Sequence, residues 1–414
     1  MKEIRIIELF SGIGSQHRAL KNIGIKPQII ATCEWDIHAL LGYFLFHHDC
    51  VDYDKIINEP IEDTVKYIKS LSLSSDGKKA SKIGSILKNE KIVLNAIAHS
   101  IKTDHNLVDI TKIKSFDEEA DILTYSFPCQ DLSNVGSLHG YNKGIAKNSH
   151  SRSSLLWEVG RILKNTCKSK RPKYLIMENV KTLLSKRHFG NFLKWIKELE
   201  ELGYSINKYI ILDARNTGLP QKRQRIIMYS VLDSKSSLKE RKYIESLTDE
   251  LIYNNYKEYL KKESTMRQKF VLVQDLIQDN YNNKKLLQEA IECTPNDTPS
   301  RRRIQRENPL IDERLDSIPT LTTKQDRNPN SGTISFSKGG KGKSKFRFLT
   351  PRECLLFMGF NKNDYDSLAC FNDLCLKSKF FKRDIIYHMA GNSIPVNLLE
   401  SVFYQIKKIE EKKV

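Results

Sequence analysis

The chain has 414 residues, and its 68 Lys+Arg against 50 Asp+Glu leave a formal net charge of +18. An apolar fraction of 39% beside 29% charged residues excludes a disordered chain, and apolar runs of only a few residues exclude a helix across a bilayer. The positive balance leaves two readings open, solubility alone or a polyanion partner, of which nucleic acid is the common case.

Residues 4–8 are rich in isoleucine and predict a first strand, followed by a Gly-containing turn and a helix over 15–22. A second strand is expected at 28–32, then a helix from about Asp36. Residues 53–104 are rich in Lys, Ser and Ile with helical periodicity near 83–101, and read as an insertion between early strands, either a structural decoration or an extra DNA contact. Residues 108–110 predict a short strand end, and 121–127 (DILTYSF) a buried strand stopped by Pro128. Residues 131–153 lack an apolar pattern and predict a long loop, a feature that in compact domains tends to carry function. A helix from Leu155 follows, then a strand at 173–177 closed by Glu178-Asn179, and a helix at 189–202 ending on Gly203. Residues 204–212 and 225–231 predict a strand pair. The alternation predicts an α/β fold with a mostly parallel, doubly wound, Rossmann-like sheet.

Beyond about residue 233 the texture changes. Residues 234–346 are polar and charged, with Arg301-Arg302-Arg303 and a Gly/Lys/Ser tract at 337–345, and predict a smaller, irregular second domain. Helical pattern returns at 351–360 and again from about Pro395 to Glu411. The first eight residues carry charges inside any apolar stretch, so no signal peptide is expected, and a cytoplasmic protein is. The eight cysteines show no CxxC pairing and fit reduced thiols, with no metal site expected.

Five sites along the chain carry chemistry. Phe10-Ser11-Gly12-Ile13-Gly14 lies between the first strand and helix, where glycines permit a tight turn and close approach of a ligand; a plain strand–helix turn is the alternative. Glu34 stands twenty residues past Gly14, at the end of the second strand, where a carboxylate can accept from two ribose hydroxyls or simply begin a helix. The third glycine of a dinucleotide fingerprint is missing, since position 17 is His, read as a surface helix residue; this disfavours a nicotinamide oxidoreductase. Pro128-Cys129-Gln130 puts a thiol at a strand's C-terminal end, and Glu178-Asn179-Val180 puts an acid at the next. A partly buried acid there would hold a proton near neutrality. In Gln221-Lys222-Arg223-Gln224-Arg225 an extended chain would turn Gln221, Arg223 and Arg225 to one side, suiting an anion or carbonyl oxygen, or a solvated basic edge.

In this order the segments resemble the DNA (cytosine-5) methyltransferases of restriction–modification type, across nearly the whole chain. Residues 10–14 look like the first cofactor motif, Cys33-Glu34-Trp35 the second and Asp109-Ile110 the third. Phe127-Pro128-Cys129-Gln130-Asp131-Leu132-Ser133 is similar to the catalytic loop, Met177-Glu178-Asn179-Val180 to the glutamate motif, and residues 221–225 to Gln-x-Arg-x-Arg. Leu349-Thr350-Pro351-Arg352-Glu353-Cys354 through Met358-Gly359-Phe360 looks like the penultimate motif and Gly391-Asn392-Ser393 the last.

The resemblance implies an S-adenosylmethionine-dependent methyltransferase fold, with S-adenosylhomocysteine as product. It implies Cys129 as nucleophile at cytosine C6, Glu178 at N3, and Arg225 with Arg223 at O2. The cofactor would lie on Phe10, Gly12, Gly14, Glu34, Trp35, Asp109, Ile110, Pro128, Asn392 and Ser393. Gln130, Ser133, Arg152 and Gln221 would meet double-stranded DNA, with the target base flipped out and the loop 130–153 closed over it. Residues 1–233 plus 347–414 would form the catalytic domain and 234–346 the target-recognition domain, ending in a Thr-Leu element at Pro319-Thr320-Leu321-Thr322. A monomer is implied, with a separate restriction endonuclease on the same site. The rival readings are a transfer-RNA cytosine-5 methyltransferase of the same superfamily and a catalytically silent DNA-binding relative.

Overall fold

The computed structural model describes residues 3–129, 131–132, 144–147, 149 and 151–412. These divide into two compact units: the first comprises Met1–Leu212, Gln224–Asn254 and Val402–Val414, the second Asp213–Arg223 and Asn255–Ser401. The limits differ from the expected 234–346 segment in both directions. Residues 234–254 join the first unit because Leu238–Ser246 is a regular helix, started by a Ser237/Glu240 capping box and anchored by the buried Ile244. Its charge-rich composition hid that Ser-x-x-Glu signal.

The first unit is built on a six-stranded sheet of order β2-β1-β3-β4-β7-β5. Its strands are β1 (Ile4–Leu9), β2 (Pro27–Cys33), β3 (Ile122–Tyr125), β4 (Tyr174–Val180), β5 (Ile206–Asp213) and β7 (Gln224–Val231). β1 pairs parallel with β2 and β3, and β3 with β4, while β7 runs antiparallel to β4. Covered on both faces, these strands read as continuous apolar runs rather than alternating ones. The chain crosses from one side of β1 to the other between β2 and β3, so the loops after β1 and β3 part at their C-terminal ends and leave the crevice where such sheets bind ligands.

Helices α1 (Ser15–Asn22) and α2 (Ile37–His47) follow β1 and β2. The 53–104 insertion folds into α3 (Tyr53–Asn58), α4 (Ile61–Lys69), α5 (Ile83–Ile86) and α6 (Lys91–Thr103), with α6 packed on α2, α3 and α4. Beyond β3, α7 (Leu156–Asn165) and α8 (Lys186–Glu201) cover the sheet. Trp195 of α8 meets Tyr125 and Trp157 edge-on, at centroid distances of 5.9 and 5.8 Å, and its indole N–H donates to the Tyr125 hydroxyl at 3.2 Å. The last residues close this unit: Val402, Phe403, Ile406 and Ile409 are buried, and Lys407 Nζ donates to the Ile23 carbonyl at 2.7 Å.

Two local expectations are corrected. Residues 108–110 do not form a strand: Val108 adopts φ 61° and Asp109 caps a 3-10 turn over Ile110–Lys112. β4 does not stop at Met177 but stays paired through Val180, opposite Arg225, so Glu178 and Asn179 are strand residues.

The second unit is mainly helical, with two small sheets. β6 (Gln221–Lys222) pairs parallel with β8 (Ile318–Pro319), and β9 (Thr333–Ser335) antiparallel with β10 (Phe346–Phe348). Its centre is an ion pair with no exposure: the Arg347 guanidinium grips both oxygens of Glu353 at 2.8 Å. Glu353 also accepts from the backbone N–H of Thr350 and of Gln278, completing the cap of the helix Pro351–Phe357. No helix of the described residues is long and apolar enough to cross a membrane.

Candidate active site

The crevice begins with the turn after β1. Phe10, Gly12 and Gly14 all take left-handed backbone conformations, with φ of 57°, 55° and 78°. Around the Gly12 α-carbon the side-chain position is open, whereas a Cβ on Gly14 would lie 2.2 Å from His47 Nε2. That nitrogen also sits 3.1 Å from the Ile13 carbonyl, so the turn rests on α2. His17 belongs to this floor and not to the surface. Its ring stacks on His47 at 4.3 Å and bonds the Tyr43 hydroxyl at 3.0 Å. Burial holds the His17 ring neutral, pushing its pKa down to about 3, and moves His47 the same way.

Beneath the same turn, Glu8 of β1 is fully buried, and neither carboxyl oxygen has a partner at hydrogen-bonding geometry. Burial pushes its pKa up to about 8, against a smaller opposing contribution from the Tyr43 hydroxyl. Glu8 is therefore protonated in the fold at neutral pH and ionised in the unfolded chain. Between pH 4.5 and 8 folding takes up this proton, so stability falls by about 1.4 kcal/mol per pH unit as pH rises, on this group's account. The histidines act oppositely below pH 6.5, where only the unfolded chain protonates them. Glu8→Gln is expected to flatten the alkaline limb, raising the melting temperature at pH 8 relative to the native protein much more than at pH 5. Thermal unfolding of both at the two pH values checks this; equal shifts would sink it.

Glu34, at the end of β2, faces the turn. Its Oε2 accepts from Gly12 N at 3.1 Å, and its Oε1 from Trp35 N and Asp36 N at 2.9 Å each. Burial, then the neighbouring Asp36 charge, push its pKa up to about 7 against these three donors. A carboxylate with acceptor capacity beyond these three bonds, a half-buried Trp35 and an open turn fit a ribose diol and a purine. Asp109 Oδ1 accepts from the Thr111 N–H at 3.0 Å and hydroxyl at 2.7 Å, and Ile110 is buried beside it.

Across the crevice, Phe127-Pro128-Cys129 follows β3. Asn179 Nδ2 donates to the Phe127 carbonyl at 2.9 Å and the Ser153 hydroxyl to the Pro128 carbonyl at 2.5 Å, fixing the chain just before Cys129. Cys129 is half-buried, and its carbonyl accepts from Leu132 N at 3.0 Å. Because β7 runs against β4, its first residues lie where β4 ends, and Arg225 Nε meets Glu178 Oε1 at 3.0 Å with both side chains about nine-tenths covered. Arg152, half-buried, opens the 3-10 turn Arg152–Leu155. Gln130 and Ser133 lie outside the described residues.

The expected common face of Gln221, Arg223 and Arg225 is broken, because the strand is interrupted at Arg223; Gln221 and Arg223 belong to the second unit and Arg225 to the first. The Arg223 guanidinium is buried and donates to the carbonyls of Leu321 (2.8 Å), Gly391 (2.9 Å) and Ser393 (2.6 Å). Gln221 accepts from Leu321 N at 3.0 Å and donates to the Phe357 carbonyl at 2.9 Å. Gly391 lies so close to the Thr322–Thr323 peptide that a Cβ would come within 2.5 Å of it. These residues bind the Thr-Leu element to the Gly-Asn-Ser turn, where Asn392 is exposed and Ser393 buried. Sequence reasoning missed Ser153, Asn106, His47 and Glu8, and gave Asn179 no role beyond its place in the motif; the Gly14–His47 contact could not be read from spacing.

Comparison with known proteins shows the family and the fold. The family model for C-5 cytosine-specific DNA methylase matches residues 61–408. The chain is 30% identical to the type II methyltransferase M2.ScrFI of Lactococcus lactis subsp. cremoris, covering 98% of this chain and 99% of that one. It is 31% identical to the orphan methyltransferase M.SssI of Spiroplasma monobiae, covering 98% and 97%. Among solved structures, the Dnmt2 methyltransferase of S. pombe superposes with a TM-score of 0.56 over 99% of both chains; at 14% identity that likeness speaks for the fold alone.

Proposed function

The chain belongs to the C-5 cytosine-specific DNA methylase family, and on that premise we propose that it methylates a flipped-out cytosine in a specific double-stranded DNA sequence through a covalent adduct on Cys129. What supports this reading is the order of the strand ends: Cys129 follows β3, Glu178 lies near the end of the neighbouring β4, and Arg225, at the start of β7, pairs with Glu178. S-adenosylmethionine supplies an electrophilic methyl group. Cytosine C5 is a poor nucleophile until a thiolate adds to C6. Cys129 makes that bond, and the ring electrons move toward N3 and O2. Glu178 protonates or hydrogen-bonds N3, and Arg225, held by Glu178, bonds O2. Once C5 carries the methyl group, a base or water takes the C5 proton, the C–H electrons re-form the C5–C6 double bond as the thiolate leaves C6, and any proton on N3 returns to Glu178.

Phe10, Gly12, Gly14, Glu34, Trp35, Asp109, Ile110, Pro128, Asn392 and Ser393 hold the cofactor, with Glu34 on the ribose. Arg223 and Gln221 support this site through the backbone they tie together, and Arg152 contacts phosphate. The 234–346 region reads the target bases. The protein acts as a monomer in the cytoplasm, the modifying partner of a separate endonuclease.

The test is transfer of labelled methyl groups to duplex DNA and to transfer RNA under the same conditions. Incorporation into duplex DNA at one sequence supports the proposal. Transfer to transfer RNA alone, or to neither, overturns it.

A further inference from the structure

The helical insertion 53–104 has no part in the chemistry above, yet its ends converge on the cofactor side of the crevice. Ser74, in the stretch between α4 and α5, is fully buried; its N–H donates to the Trp35 carbonyl at 2.8 Å and its carbonyl accepts from Ile37 N at 2.9 Å. The Ser74 hydroxyl donates to the Lys79 carbonyl at 2.6 Å, closing the turn that presents it. On the other side, the chain leaving α6 runs parallel to β2, with Leu107 N donating to the Thr32 carbonyl at 2.8 Å. There Asn106 brackets the Glu34 peptide: its Oδ1 accepts from Glu34 N at 3.1 Å and its Nδ2 donates to the Glu34 carbonyl at 3.0 Å. The same Oδ1 accepts from Val108 N at 2.9 Å, beside the left-handed turn at Val108.

A residue at a strand's open end normally leaves its backbone groups to water. Here the backbone groups of Glu34, Trp35 and Ile37 are taken up by elements the insertion supplies. Glu34 can accept two ribose hydroxyls only if its backbone holds still, and an amide bonding both sides of that peptide fixes its position and its rotation.

We propose that the insertion is the outer wall of the cofactor site, with Asn106 and Ser74 as positioning residues for Glu34 and Trp35. This rests on the reading of Glu34 as the ribose acceptor. It gives the insertion a cofactor role and no role in DNA contact.

The experiment is calorimetric titration of the full chain with S-adenosylhomocysteine, for the native protein, Glu34→Ala, Asn106→Ala and Asn106→Asp. Asn106→Ala is expected to raise Kd about tenfold, a part of the worth of the three bonds it removes. The KM for S-adenosylmethionine should rise with it, kcat at saturating cofactor should change much less, and affinity for duplex DNA should not move. Native-like Kd in Asn106→Ala, with Glu34→Ala weakened, overturns the proposal. Weakened DNA binding with unchanged Kd overturns it too, in favour of a DNA-contact role. Native-like binding by Glu34→Ala defeats the ribose reading itself, and the proposal falls with it. If Asn106→Ala melts below the assay temperature, Asn106→Asp decides. It keeps the acceptor, loses the donor to the Glu34 carbonyl and sets a second charge beside Glu34, so its Kd should also rise; a native-like value overturns the proposal.

Discussion

Cys129→Ser is expected to bind cofactor and DNA as the native protein does and to lose methyl transfer by at least about 10³-fold. The substitution changes one atom in a half-buried side chain whose neighbours are fixed by Asn179 and Ser153 through the preceding carbonyls, so the loop start should keep its shape. What changes is the nucleophile. A hydroxyl is almost wholly protonated at neutral pH, whereas a thiol supplies some thiolate, which attacks C6 readily. DNA carrying 5-fluorocytosine at the target gives a second readout, because fluorine at C5 cannot leave as a proton does and the adduct is trapped. Denaturing electrophoresis should show a shifted band for the native protein and none for Cys129→Ser. A trapped complex in the variant would mean that another residue attacks.

The other large effect is on stability. Arg347→Met is expected to destabilise the second unit by about 3–5 kcal/mol, because it leaves a buried carboxylate without its cation. Glu353 would keep the N–H groups of Thr350 and Gln278, but the two guanidinium bonds at 2.8 Å would be gone. Adding Glu353→Gln to Arg347→Met should recover part of the loss, since the orphaned charge goes too. Urea unfolding of the single and double variants measures this. Additive losses in the double variant would show that the pair is not coupled. The Thr350–Glu353 segment, which the family resemblance marks only as a motif, thus acts here as a helix cap and an ion-pair anchor.

The parts of the fold legible in the sequence were those with a local cause. The helix 15–22 follows two glycines, β3 stops before Pro128, and Gly203, with φ 93°, ends α8. Asp36 caps α2 with its side chain on His38 N, at the place its sequence position suggested. The order of the site motifs was equally visible. What escaped was set at long range. Arg223 and Arg225 are spaced like partners on one strand face, yet one bonds carbonyls from residues 98 to 170 positions away and the other bonds Glu178. His17 looked like a surface residue because nothing nearby in sequence announces the ring of His47 beneath it. Asn106, two residues past the insertion, reaches Glu34 across a sequence separation of 72. Glu8, an acid between Ile7 and Leu9 in a mostly apolar strand, could have been flagged by its type alone.

The bond from Lys407 to the Ile23 carbonyl spans 384 positions. During synthesis the first strand and helix therefore emerge long before the residues that cover them. At about 5–20 residues per second the ribosome needs roughly 20–80 s to travel that distance. Throughout it, the surface that later receives Val402, Phe403, Ile406 and Ile409 stays bare. A nascent chain is thus expected to expose apolar surface over that interval. A ribosome stalled shortly before the end leaves an uncovered sheet, and a premature stop codon near residue 400 should yield a product cleared by proteolysis.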